Sequence, residues 1–412
     1  MPRIKPFYAF RPVIRLQNSI VTRPLENYSL GQARLRVSEN QYSFLHLINP
    51  ELDNPYLRGS RQELIYKKIN ENVEAFIDNK ILVKEEKPSI YVYQVIHGGI
   101  TQTGIWTLTH INDYLSGKIK KHELTVERRE KLLSEYLQQT GLDANPVLIT
   151  YFKNEEIDEV IASYQSTRPD VDFTHEDGTQ HQIWIINAQG DLNTLIKAFK
   201  AMPAVYIADG HHRIASMAKM ALQKRTLTLN NEDAEFNYFS SAYFNTNQVQ
   251  ILAFNRMVKD LASHTVEQFI TAVSRSFAVE KLTAALQPQA IHEFGMYVDK
   301  QWYQLKAKSH IYDENNPISV LDVSILQDYV LKPILAIQDP RTDARITFEG
   351  GNTPIEELQQ QVDNGNYAVV FTLFATSVEQ LIAVADANGV MPPKSTWVEP
   401  KFLVGMLTNK FL

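Results

Sequence analysis

The sequence predicts an α+β protein, a mixed core of strands and helices flanked by N-terminal and C-terminal α/β sections. Three observations predict it. Short apolar runs such as "SIYVYQVI", "PVLITYF", "QIWII" and "AVYIA" have the length and side chains of strands. Stretches with apolar residues at helical spacing lie between them. The two kinds mix along the chain with no internal repeat, low-complexity tract or long charge block.

The chain has 412 residues, more than one ordinary core holds. Shifts in character suggest three sections: 1–117, 118–257 and 258–412. Hydrophobic residues make up 44% and charged residues 21%, as in soluble globular proteins. A net charge of -6 argues against broad nucleic-acid binding, which needs a basic surface. The absence of cysteine excludes disulfides, thiolate zinc sites and a cysteine nucleophile. The start, "MPRIKPFYAF", lacks the apolar core of a secretory signal, and no apolar run approaches the ~20 residues of a membrane helix. A cytoplasmic protein without a membrane partner is expected. A homo-oligomer is left open.

In the first section, a helix is expected after the polar loop "NPELDNPYLRGS". Ser60 would cap it, with Glu63 completing a capping box. Leu64, Ile65, Ile69, Val73, Phe76 and Ile77 would form its buried stripe. Two strands, "SIYVYQVI" and "GIWTLTHI", would follow as a hairpin joined by "HGGITQT". In the second section, Thr125 is expected to cap a helix whose Leu132, Leu133, Tyr136 and Leu137 face the core, with Gly141 ending it. The strand "PVLITYF", a polar segment, the strand "QIWII" and the stretch "IKAFKAMP" come next. In the third section, "TVEQ", "TPIE" and "SVEQ" each place Thr or Ser three residues before Glu or Gln at a helix start. "MYVDKQWYQLKA" and "NYAVVFTLFA" read as strands, and "MPPKSTWVEPKF" as a proline-stiffened loop.

The stretch "YIADGHHRIASMAKMALQ" carries the most chemistry. "AVYIA" is a buried strand and Asp209-Gly210 a turn. Ile214, Met217, Ala218, Ala221 and Leu222 follow helical spacing. His211, His212 and Arg213 therefore fall at a helix N-terminus, where unpaired N–H groups and the dipole attract anions. Gly210 lets a ligand approach the backbone, and Arg213 can fork onto phosphate oxygens. A basic cluster there opposes the dipole unless an anion is bound. Phosphate binding is the favoured reading. A structural turn whose histidines cap carbonyls, and a metal site, are the others.

Upstream, "IKKHELT" places His122 and Glu123 just ahead of the helix at Thr125. A carboxylate there can take a proton from a hydroxyl, help hold a metal, or merely compensate the dipole. In the last loop, Lys394, Ser395, Thr396 and Lys401 offer two cations and two hydroxyls that could close over an anion. The other reading is a surface strap packed through Trp397. Gly350 and Gly351 in "TFEGG" would allow a close backbone approach.

The blocks "KIKKHELTVERREKLL", "PVLITY", "YIADGHHRIASM", "FNRMV", "LDVSILQDYVLKPIL", "ITFEGG" and "MPPKSTWVEPKFLVGML" together resemble domain-of-unknown-function family 1015, in order along nearly the whole chain. From Lys118 to Asn255 the chain also resembles the ParB/sulfiredoxin superfamily, and within it the free L-serine kinases, through "HE" and "DGHHR". That resemblance implies a ParB/sulfiredoxin-like core with nucleotide bound at Gly210, His211, His212 and Arg213. It implies Glu123 as the catalytic carboxylate near a substrate hydroxyl, and Asp209 as a second acid near the transferred phosphoryl or its Mg²⁺. His122 and Thr125 would be further substrate or phosphate contacts. The segment before "YIADGHHR" is longer than the minimal fold needs, and the flanking sections have no counterpart in the small kinases.

The expectation is a phosphotransferase that uses ATP or ADP with Mg²⁺ on a small hydroxylated metabolite such as serine. A phosphohydrolase on the same site and a nucleotide-binding regulatory protein without turnover are the alternatives. In the enzyme reading, Glu123 and Asp209 converge with the His211–Arg213 loop on one cleft.

Overall fold

The computed structural model describes residues 2–57, 59, 61–227 and 232–412. They fall into two units, one of 1–120, 125–249 and 400–412, the other of Lys121–Leu124 and Gln250–Glu399. Both mix helix and sheet, so the α+β class holds.

The first unit is built on a nine-stranded sheet. Its order is Ile119–Lys120, Val205–Asp209, Val147–Tyr151, Tyr238–Asn245, Ile100–His110, Ile90–His97, Gln180–Ile186 and Val171–Thr174, with Ile4–Lys5 added against Ile100–His110. Two ladders are parallel: Ile119–Lys120 on Val205–Tyr206, and Val147–Tyr151 on Ser241–Asn245. All five residues of Val147–Tyr151 are buried, as a strand covered on both faces requires. Ile149, Ile207 and Val92 pack with Leu195, Phe199, Ile214 and Met217 of the covering helices.

The hairpin is tighter than its sequence suggests. "ITQT" belongs to the second strand, and only Gly98 and Gly99 make the turn, at φ 55° and 81°. Two positive φ angles are what a two-residue hairpin turn needs. The polar segment before "QIWII" also contains a strand, Val171–Thr174, paired with Gln180–Ile183.

Helix boundaries differ in instructive ways. The first long helix runs Gln62–Asp78 from Arg61, and the expected cap Ser60 lies outside the described residues. Its buried stripe holds Ile65, Tyr66, Ile69, Val73 and Phe76, while Leu64 points to solvent. Thr125 is not a cap: the next helix is Glu127–Thr140 with Val126 at its N-cap, and the Thr125 hydroxyl donates to Glu130. Leu132 is exposed on that helix, and Leu222 on the helix that begins at His211. Gly141 does end the helix, at φ 63°, and a Cβ there would stand 2.5 Å from Leu412 Cβ.

The second unit holds a six-stranded antiparallel sheet in the order Phe277–Leu282, Gln301–Ala307, Glu293–Val298, Val369–Leu373, Phe254–Val258 and Ile346–Gly350. "MYVDKQWYQLKA" is thus two strands, turned at Asp299 and Lys300 with φ 47° and 60°. Thr265–Gln268 and Ser377–Gln380 form the expected capping boxes. In "TPIE" the helix starts behind Pro354 without a side-chain cap.

Candidate functional site

The strand Val205–Asp209 pairs with Val147–Tyr151 through Tyr206 opposite Thr150 and Ile207 opposite Ile149. The register then slips, and Asp209 falls opposite Leu148. Such a bulge re-aims the side chain that follows it. Gly210 turns the chain at φ 100°, and the helix His211–Leu227 begins at once, with Ile214 N–H donating to Gly210 O at 3.1 Å. A Cβ on Gly210 would stand 2.9 Å from Arg213 Nε and Nη2. The glycine serves both an unusual φ and a close approach by the guanidinium.

Arg213 is held firmly. Nη1 donates to Asn145 Oδ1 at 2.6 Å and also to the Pro146 carbonyl, and Nη2 donates to Asp209 Oδ2 at 2.8 Å. Asn145 and Pro146 lie there because the antiparallel ladder brings the start of Val147–Tyr151 to the end of Val205–Asp209. Among the described residues three of the five guanidinium hydrogens find a partner, which leaves the Nε–H and one Nη2 hydrogen to take an anion.

Lys401 completes the cluster, its Nζ 3.7 Å from Asp209 Oδ2. With side chains 35% and 40% exposed, this pair contributes at most about 1 kcal/mol. The backbone of Lys401 is fixed. The next residue, Phe402, packs against Tyr93, Trp106 and Phe244. Asn409–Lys410 pair with Leu142–Asp143, beside the loop that carries Asn145.

His211 is buried, and His212 is half-buried with Nδ1 accepting the Val126 N–H at 3.4 Å. Asp143 is a buried carboxyl near Arg213. Burial pushes it up to about 7, against the opposing pull of the Ser240 N–H, 2.7 Å from Oδ2, and of Arg213.

Asp209 fits a divalent cation poorly. Arg213 and Lys401 both address the same carboxylate oxygen, whereas Mg²⁺ needs oxygen ligands at about 2.0–2.1 Å. An ion of charge +2 would be repelled by both neighbours. With Asp209, the two cations sum to +1, which suits an anion.

Thr125 apart, which belongs to the first unit, the other expected site residues belong to the second unit. His122 is buried, and its carbonyl accepts the Met391 N–H at 2.8 Å. Glu123 is half-buried. Ser395 is buried and its hydroxyl donates to Pro392 O at 2.6 Å. The Lys394 ammonium lies 5.3 Å from the Phe254 ring centroid, and its carbonyl accepts from Arg256 at 3.0 Å. Burial lowers Arg256 to about 9. Thr396 is half-buried. Trp397 packs edge-on to Phe254 and over Gly350, where a Cβ would meet its ring at 2.8 Å. Gly351 would meet Ala253 O at 2.8 Å. Both glycines make room for the protein's own loop.

Asp209, Gly210, Arg213 and Lys401 are therefore brought together, and Lys394 and Ser395 are committed elsewhere. Asn145 escaped sequence reasoning. Its one signal was an Asn-Pro pair at the start of a buried strand.

A family model described as a protein of unknown function (DUF1015) matches residues 4–324. No curated protein matches the chain. Among solved structures, a free serine kinase in complex with AMP is similar at 12% identity and a TM-score of 0.38, covering 73% of this chain and 91% of its own. A conserved hypothetical protein from Pyrococcus furiosus is similar at 14% identity and 0.36, covering 73% and 93%. C-terminally truncated SbnI from Staphylococcus aureus is similar at 11% and 0.37, covering 71% and 82%.

Proposed function

The chain belongs to the DUF1015 family of proteins of unknown function, and from its site we propose a phosphotransferase that moves a phosphoryl group from ATP or ADP to a small hydroxylated metabolite, with free L-serine as the acceptor. The observation that carries this reading is the cation pair at the turn. Arg213 and Lys401 meet at Asp209, beside a glycine turn and the N-terminus of a helix of 17 residues. Cations beside a helix N-terminus favour a phosphate.

In this reading the core is ParB/sulfiredoxin-like. Gly210, His211, His212 and Arg213 surround the phosphates, and His122, Thr125 and Lys401 are further contacts. Glu123 is the carboxylate that takes the proton of the acceptor hydroxyl as its oxygen attacks phosphorus. Its assignment is supported by the "HE" resemblance. The work of these side chains is positioning and charge stabilisation, the main contributors to phosphoryl transfer.

The test is nucleotide consumption with and without L-serine. Stimulation by serine with formation of O-phosphoserine is expected. Tight nucleotide binding without turnover would replace the enzyme with a nucleotide-binding regulatory protein. Serine-independent hydrolysis would make it a phosphohydrolase.

A further inference from the structure

We propose that Asp209 is a positioning residue: it holds Arg213 from the helix and Lys401 from the C-terminal segment as a paired-cation clamp for the terminal phosphate oxygens of a nucleotide, and it ligates no metal. The proposal rests on the nucleotide reading above and assigns the site a second cation from a segment almost 190 residues further along the chain.

Both cations reach the same oxygen, Asp209 Oδ2, at 2.8 and 3.7 Å. The carboxylate thus fixes the spacing between them. Each is anchored on its far side. Asn145 and Pro146 hold Arg213, and Phe402 locks the backbone next to Lys401 among three aromatic rings. The ammonium of Lys401 is the adjustable member, since its side chain keeps 35% exposure. Arriving phosphate oxygens take up the Arg213 hydrogens left over and draw Lys401 across, while Asp209 keeps Arg213 in place.

This role and a metal role predict opposite signs. An acid beside a phosphate repels it, so removing a mere neighbour or a metal ligand tightens or preserves metal-free binding. Removing a bracket loosens it. Calorimetric titration of the full chain with ADP and with inorganic pyrophosphate, in EDTA and in Mg²⁺, separates them. Lys401→Ala is expected to weaken both probes about tenfold, with Lys401→Arg restoring affinity to within about twofold. Asp209→Asn is expected to weaken metal-free binding about threefold or more and to leave the ratio of Kd with and without Mg²⁺ unchanged. Thermal midpoints check that the variants fold. Metal-free affinity kept or improved in Asp209→Asn, with the Mg²⁺ effect lost, would make Asp209 a metal ligand and overturn the proposal. Wild-type affinity in both variants would remove the clamp and leave the nucleotide reading standing. Wild-type protein that binds neither probe would bring down both.

Discussion

The guanidinium of Arg213 lies against the Cα of Gly210, so closely that a Cβ there would be 2.9 Å from Nε and Nη2. The turn and the clamp are thus one piece. The residue that lets the chain reverse at φ 100° also leaves the space in which the arginine lies.

Gly210→Ala is expected to lower the thermal midpoint and weaken nucleotide binding together. The backbone strain alone is of order 1–3 kcal/mol, and the methyl group displaces the guanidinium. A variant with unchanged midpoint and unchanged ADP affinity would show that neither the φ angle nor the contact matters.

Asn145→Ala is expected to raise KM for the nucleotide about 3–10-fold with little change in kcat, because it loosens Arg213 without touching the acceptor. Asn145→Asp keeps the oxygen that accepts from Nη1 and should retain most of the affinity. Equal losses in the two variants would point to general damage of the loop.

Asp143 should make stability depend on pH. Its carboxyl, buried at the start of the loop that holds Arg213, is raised from 3.8 to about 7. The folded chain therefore holds this proton more tightly than the unfolded chain. The contribution is full below about 3.8 and is lost as pH rises toward about 7. Asp143→Asn should gain stability relative to wild type as pH rises through that window, read by urea unfolding at pH 5 and pH 7.5. A constant difference between the two proteins would contradict this.

His181 should act in the opposite direction. It is buried, and burial with the nearby His175 lowers it from 6.5 to about 4. Its Nδ1 pairs with Tyr93 OH at 2.8 Å, and Nε2 is buried with no hydrogen-bond partner among the described residues. Stability from this residue is full above about 6.5 and is lost as pH falls toward about 4. His181→Gln, which cannot titrate, should lose less stability than wild type between pH 7 and pH 5. An unaltered acid limb would show that the buried ring does not govern it.

Much of the fold was legible in the sequence because its signals are local. Alternation and β-branched runs marked Ile90–His97 and Val147–Tyr151, and Thr265–Gln268 announced a helix through its own side chains. What escaped depended on tertiary neighbours. Leu64 and Leu132 sit at helical spacing yet face solvent, since the width of a buried stripe is set by what packs on it. Asp299 and Lys300 turn a hairpin without glycine, which only the strands beside them reveal. Within the site, "DGHHR" was readable as a turn at a helix N-terminus. The Asn145 contact was not, because it follows from strand order, and Arg213 spends more hydrogens on the protein than its sequence position suggests. Lys401 was legible as a cation on a stiff loop, whereas its partner became clear only in the folded chain.

Phosphoryl transfer itself is tested most directly by phosphorus NMR of the full chain incubated with ATP or ADP, Mg²⁺ and L-serine, in wild type and Glu123→Gln. Glutamine keeps the shape of the side chain and removes the proton acceptor. Wild type is expected to accumulate O-phosphoserine. Glu123→Gln should bind ADP as wild type does and lose about 10²–10⁴-fold in kcat. Turnover in Glu123→Gln equal to wild type would contradict the role of that carboxylate, and wild-type protein that phosphorylates no hydroxy amino acid would contradict the transferase reading.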